Sequence, residues 1–242
     1  MVIADFDKVR ADAVAAEITQ GGGTAIGVEC DVANSTDYQA VRDLALDQFH
    51  DVDIVVNNVG VHAHGRPEDI PLDEWERVLS VNLMSVVQSI GLFVPAWLAR
   101  HSGHLVNVAS INGLYPFTYD RLPYTASKAA IVALSESLGM YLMPRGVGVT
   151  CVCPGPVADT RITEHMPFYG RPRVYRGPGL SQVPPDLVAE YTVDAIKQDI
   201  FLVLTHPEVA EIVGQRGQGI DSFLRRQTQD MYEHDLENGQ VS

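Results

Sequence analysis

Tyr124 and Lys128, in the run Tyr-Thr-Ala-Ser-Lys that opens an Ala- and Leu-rich helical segment, carry the most telling chemistry in this chain. Residues at this spacing on a helix share one face, so an ammonium can sit beside a phenol. A phenol titrates near ~10, and a neighbouring cation favours its phenolate form. The pair is therefore a candidate acid/base at working pH. Tyr-x-x-x-Lys alone is a weak signal, because both residues are common on helix surfaces, and the surrounding motifs have to decide.

Those motifs come in a definite order. Asp53-Ile-Val-Val-Asn57-Asn58-Val59-Gly60 reads as a buried strand ending in a polar, glycine-containing turn. Asn82 lies in the long helix that follows, and Leu105–Ser110 is a second buried strand with a hydroxyl at its C-terminal end. Cys151-Val-Cys-Pro154-Gly155 ends a third, after the Tyr/Lys helix. Together they resemble the short-chain dehydrogenase/reductase family, with its Asn-Asn-Ala-Gly motif, Asn-Ser-Tyr-Lys tetrad and Pro-Gly turn, and the resemblance covers nearly the whole chain.

The resemblance implies a Rossmann-like, doubly wound α/β domain that exchanges a hydride between a nicotinamide cofactor and a secondary alcohol or ketone. It makes Tyr124 the general acid/base. Lys128 then lowers the Tyr124 pKa and binds the nicotinamide ribose, Ser110 holds the reacting oxygen, and Asn82 binds a water that relays protons from Lys128. Plainer roles stand beside these: Asn82 bonding backbone within its helix, Ser110 ending a strand, Tyr124 at an exposed helix start with Lys128 solvated. Ser110 and Tyr124 are 14 residues apart, usually one fewer in the family, and the loop between them absorbs the extra residue.

For the cofactor, Asp5 ends a strand where its carboxylate can accept from both adenosine ribose hydroxyls and repel the extra phosphate of NADP, so NAD is expected over NADP. Its alternative is a helix-capping aspartate. Asp31 and Val32 match the family's pair beside adenine, against a plain turn aspartate, and Asn57 and Gly60 should line the cofactor path. After Pro154-Gly155 the family's valine matches Val157, whereas the threonine that meets the carboxamide falls one position late, at Thr160. Substrate recognition is expected from residues 161–185, with Tyr115, Phe117 and Tyr119 nearby. Arg171, Arg173 and Arg176 are either solvated or meet an acidic substrate.

One family feature is missing. The pyrophosphate is held where a strand turns through glycines into a helix, so that backbone N–H groups face the phosphate. Here Val2–Asp5 resembles the family's second strand, and no such turn precedes it. Gly21–Gly27 follows a helix and leads into a strand, the reverse of the fingerprint. The residues after Asp5 contain no glycine and two carboxylates flank them. In the family order 3-2-1-4-5-6-7, the strands on either side of the absent one each lose a neighbour. A start assigned too late, a shortened chain or a degenerate gene product would each explain it; the intact downstream motifs favour the first. The opposing functional reading is a non-catalytic remnant that binds a partner through the open sheet edge.

Composition sets the remaining bounds. At 242 residues and 46% hydrophobic the chain can bury one full α/β core. Alternating Val/Ile-rich runs and helical patterns argue for βαβ units and a parallel sheet. Strands are expected at about 2–5, 25–30, 53–57, 105–110, 147–153 and 201–205, and helices at 8–19, 35–49, 73–100, 124–143, 185–198 and 207–231, with Ser35 and Asp73 as N-caps. A net charge of −14 argues against a nucleic-acid or anionic-membrane partner. Three cysteines make no disulfide framework; Cys151 and Cys153 should share a buried strand face, giving at most two thiolates and no metal site. A reducing cytoplasm fits. No signal peptide is visible, and residues 81–99, interrupted by polar residues and Pro95, read as a buried helix. The resemblance also implies a homotetramer or dimer through the helices at 73–100 and 124–143.

Overall fold

The structure is a computed structural model that describes residues 1–162, 164, 166–170 and 179–237, with side chains described as far as Glu233. Strands β1 (Val2–Asp5), β2 (Ile26–Glu29), β3 (Ile54–Asn57), β5 (Gly103–Val108), β6 (Val147–Cys153) and β8 (Leu202–Leu204) are linked by helices, as the alternating pattern predicts. Those helices are α1 (Lys8–Gln20), α2 (Ser35–Phe49), α3 (Leu72–Leu79), α4 (Ser85–Arg100), α5 (Ile111–Leu114), α6 (Leu122–Leu142) and α7 (Pro185–Lys197), followed after β8 by α8 (Val209–Gln218) and α9 (Ile220–Glu237). Two further strands, β4 (His64–Gly65) and β7 (Phe168–Tyr169), form a short parallel pair.

Capping sets where the helices begin. Asp7 accepts from the Val9 and Arg10 amides at the start of α1, and Asn34 accepts from the Thr36 amide at α2. The cap of α2 is thus Asn34, one residue before the expected Ser35. The long helix starts from Pro71 with no side-chain cap, and Asp73 sits in its first turn. The helix expected at 207–231 is two, broken where Gly219 is extended.

Among the described residues all the pairing is parallel, and the sheet is in pieces. β1 pairs only with β2, and β3-β5-β6-β8 form a separate four-stranded sheet. No backbone ladder joins β1 to β3 among the described residues, so each has one partner there. Packing bridges the gap instead. Val2, Ala4, Val28 and Cys30 share one apolar cluster with Val55, Phe93, Trp97, Leu105 and Val149. The opposite face of β3 is bare: Ile54 and Val56 are 47% and 51% exposed, whereas Val106 and Val152 on the neighbouring strands are covered by Ala195 of α7.

Cys151 and Cys153 do point the same way, with their sulfurs 3.9 Å apart in a buried cluster with Val86 and Ile131. The helix Leu72–Arg100 is long and apolar enough to cross a membrane, but Val86, Ser89, Phe93, Val94 and Trp97 of α4 are packed into the protein.

Candidate active site

The C-terminal ends of β3, β5 and β6 face the start of α6, the place where open parallel sheets bind ligands. Ser110, two residues past β5, has an extended backbone and caps α5 by accepting from the Asn112 amide at 3.2 Å. The Ile111 amide donates to the Pro154 carbonyl at 3.0 Å, tying this corner to the end of β6. Gly113 lets α5 lie on α6, since a β-carbon there would stand 2.5 Å from the Lys128 carbonyl oxygen. The Ser110 side chain is a hydrogen-bond partner of the Tyr124 phenol.

Lys128 is one turn further along α6 and almost wholly buried. Its Nζ donates to the Val108 carbonyl at 2.7 Å and lies 5.6 Å from the centre of the Tyr124 ring. Asn82 approaches from the opposite side. The helix widens to a π turn over Ser80–Met84, and Asn82 sits at its middle, 1% exposed. Its Oδ1 accepts from the Val61 amide at 2.8 Å, and its Nδ2 donates to the Val61 carbonyl at 2.9 Å and the Ser127 hydroxyl at 3.0 Å. Gly60 closes the group. A β-carbon there would stand 3.4 Å from Lys128 Nζ and 3.9 Å from Asn82 Oδ1, so glycine leaves this approach open.

Burial dominates the electrostatics. It pushes the Tyr124 phenol up from its usual value; the Ser110 hydrogen bond and the Arg121 guanidinium pull the other way without prevailing. Burial likewise lowers Lys128 to about 8, partly offset by the neighbouring Cys153 and Cys151 thiols. In this structure desolvation sets the direction at the phenol, which lies above its usual value and not below it.

The structure places the other candidates as follows. Asn57 is buried, its Oδ1 accepting from the Tyr38 hydroxyl and its Nδ2 donating to Ser89 and the Asn107 amide oxygen. Its side chain therefore joins α2, α4 and β5. Asp5 takes a turn role, Oδ1 accepting from the Asp7 amide at 2.9 Å, and the helix cap itself is Asp7. Asp31 accepts from the Ala33 amide at 2.9 Å, and the Val32 carbonyl accepts from Gln88 at 3.3 Å. Val157 bridges to Val183, and Thr160 is exposed. Tyr115 and Phe117 are buried with Val209 and Phe223, so they belong to the core. Arg171, Arg173 and Arg176 lie outside the described residues.

Sequence reasoning missed a second group beside the phenol. His62 is 7% exposed, and its ring lies 5.3 Å from that of Tyr124. Its Nδ1 is 3.1 Å from His64 Nε2, and His64 Nδ1 in turn faces Asp120 Oδ2 at 4.0 Å. Asp120 is itself held by the Thr118 hydroxyl at 2.6 Å and Arg121 Nε at 3.0 Å. The only signal in the sequence was a His-x-His directly after the Asn-Asn-Val-Gly turn.

Fold and cleft define an α/β protein built for work at the carboxyl ends of its strands. The short chain dehydrogenase family model matches residues 1–167, and the chain belongs to that family. It is 33% identical over 226 residues to the probable oxidoreductase EphD of Mycobacterium tuberculosis, a match covering 88% of this chain but only 38% of that protein's length. It is 31% identical over 209 residues to a 3-oxoacyl-[acyl-carrier-protein] reductase of Synechocystis, covering 86% of this chain and 79% of that protein. Among solved structures, a short chain dehydrogenase/reductase of Burkholderia phymatum in complex with NAD superposes with a TM-score of 0.79 at 29% identity, covering 91% of this chain and 84% of that one. A metagenomic short-chain oxidoreductase in complex with NADP gives 0.68 at 28% identity, covering 84% and 83%.

Proposed function

We propose that the chain is an NAD-dependent oxidoreductase that interconverts a secondary alcohol and a ketone, with Tyr124 as the acid/base. One observation carries this: the Tyr124 phenol, the Ser110 hydroxyl and the buried Lys128 amine converge beside Gly60 at the carboxyl ends of the strands. When bound, the nicotinamide supplies the hydride chemistry. In reduction the Ser110 hydroxyl holds the substrate oxygen and neutral Tyr124 delivers its proton to it. Lys128 then donates toward the phenolate so formed. Among the described residues Oδ1 of Asn82 accepts only the Val61 amide, so its second lone pair remains for a water on the proton path.

Lys128, Gly60 and the Asn57 main chain suit the nicotinamide end of a dinucleotide. Asp5, with Asp7 beside it and Arg10 already paired to Asp7 and Glu164, disfavours the additional phosphate of NADP. Asp31, Val32, Val157 and Thr160 complete the proposed contacts. The pyrophosphate end fits poorly: among the described residues no glycine turn leads from a strand into a helix. That mismatch and the divided sheet favour a second reading, a binding or assembly protein whose sheet gap must be filled before cofactor binds. Exposed Met84 at the end of the π turn, Val87 on α4, and Met140 and Tyr141 on α6 suit an interface between copies.

Fluorescence titration with NADH and alcohol turnover separate the two readings. Under the first, NADH saturates the chain, and Tyr124→Phe lowers kcat by about 10²–10⁴-fold while the NADH Kd stays within about twofold. Absence of both NADH binding and turnover establishes the second reading for the chain alone. Equal loss of binding and turnover in the variant would give Tyr124 a structural role.

A further inference from the structure

His62 is placed by the same framework that builds the catalytic cleft. Asn82 clamps Val61 on one side through both its amide and its carbonyl. On the other, the His64 amide donates to the Pro167 carbonyl and the Gly65 amide to the Asp120 carbonyl, each at 2.9 Å. Between these anchors the His62 ring is held against Tyr124 on one side and His64 on the other. Its Nδ1 is engaged by His64, whereas its Nε2 is fully buried and has no partner among the described residues. A buried polar nitrogen without a partner costs free energy that a hydrogen-bond donor brought beside it would recover.

Asp120 biases the tautomer. Burial alone pushes its carboxyl up, but Arg121 and Thr118 hold it below the usual range, so it is an acceptor only. His64 Nδ1 lies 4.0 Å from its Oδ2, too far for a direct hydrogen bond, but the carboxylate's charge favours the proton on that nitrogen; His64 Nε2 then accepts and His62 Nδ1 donates. His62 Nε2 is left with a bare lone pair. Burial, with His64 and Arg121 beside it, keeps this ring neutral well below pH 6.

We propose that His62 is a substrate-binding residue whose Nε2 accepts a hydrogen bond from a hydroxyl group on the substrate, carried next to the carbon that Tyr124 and Ser110 serve. The substrate class is then a vicinal diol or the matching hydroxyketone. This rests on the oxidoreductase reading and sharpens it. A site built around an acceptor discriminates against analogues lacking the donor, because the nitrogen stays buried and unpaired.

Two measurements test the assignment. Long-range ¹H–¹⁵N spectra of the full chain, with His62→Gln to assign the signals, should show His62 protonated at Nδ1 and bare at Nε2. Protonation at Nε2 overturns the proposal. In turnover with NAD or NADP, trans-cyclohexane-1,2-diol should be preferred to cyclohexanol, and His62→Leu should erase about tenfold or more of that preference. His62→Gln, whose amide oxygen still accepts, should recover part of it. A His62→Leu loss equal for both alcohols also overturns the proposal, as would follow from packing alone. If the chain turns over neither alcohol, the oxidoreductase reading is what fails; the His62 assignment is then decided by whether the diol, and not cyclohexanol, shifts the Nε2 resonance.

Discussion

Lys128 is stored at a cost. Its folded pKa of about 8 lies below the ordinary 10.5, so between those values the folded chain binds fewer protons than the unfolded one. Stability therefore rises with pH across that window; below pH 8 the full penalty applies, on the order of 3 kcal/mol. Lys128→Met removes the charge but strands the Val108 carbonyl, which offsets part of the gain. The expected net effect at pH 7 is a stabilisation of about 1–2 kcal/mol together with loss of turnover. Urea melts at pH 7, 8.5 and 10 should show the advantage shrinking as pH rises, and a pH-independent difference would mean the amine is not desolvated as the structure has it. At this scale the sequence was most informative. Tyr124, Lys128, Ser110 and Asn82 sit in motifs whose residue types and order point to one cleft. His62 was hidden because its meaning depends on Asp120, which reaches it only through the fold, and because a histidine near a turn has many plain explanations.

Asn82 shows what a single irregular turn does for an element. An unbroken α-helix from Leu72 to Arg100 satisfies its own backbone and leaves side chains to pack; the π turn at Ser80–Met84 sets Asn82 inward, where it serves the Val61 amide and carbonyl at once. Asn82→Ala leaves both groups and the Ser127 hydroxyl short of a partner, for an expected loss of about 1–3 kcal/mol. The loss should be local first: hydrogen exchange at Val61 accelerates more than exchange along α4. Uniform acceleration instead would show Asn82 supporting the whole core and not the Gly60–His62 segment. Helix existence was legible here from apolar spacing, and the π turn was not, since one extra residue per turn leaves the pattern of buried Val78, Val86 and Trp97 nearly unchanged. The β4–β7 pair, two residues a side and drawn from distant parts of the chain, carries no periodicity to read. The break between α8 and α9 rested on Gly219, which the helical pattern alone runs through.

Across the whole molecule, the parallel arrangement of the strands followed from the alternation of elements, and β1 and β3 lie in separate sheets. The contacts that span the interruption did not follow, because packing in a shared core depends on shape. An isolated two-stranded sheet is marginal in water, so β1 and β2 depend on that core and on a few bonds such as Tyr38 to Asn57 and Arg10 to Glu164. β5 by contrast has a strand on each side and no exposed residue. Amide hydrogens in Ile26–Glu29 should therefore exchange at least ~10²-fold faster than those of Leu105–Val108, reporting an opening of β1–α1–β2 that leaves the four-stranded sheet intact. A strand docked between β1 and β3 would complete both ladders and bring the two rates together, and a helix laid over Ile54 and Val56 would add to the effect. Equal protection in the chain alone would mean that the shared apolar cluster, and not the hydrogen-bonded ladder, sets the stability of this half, and the gap would then be no obstacle to a working site.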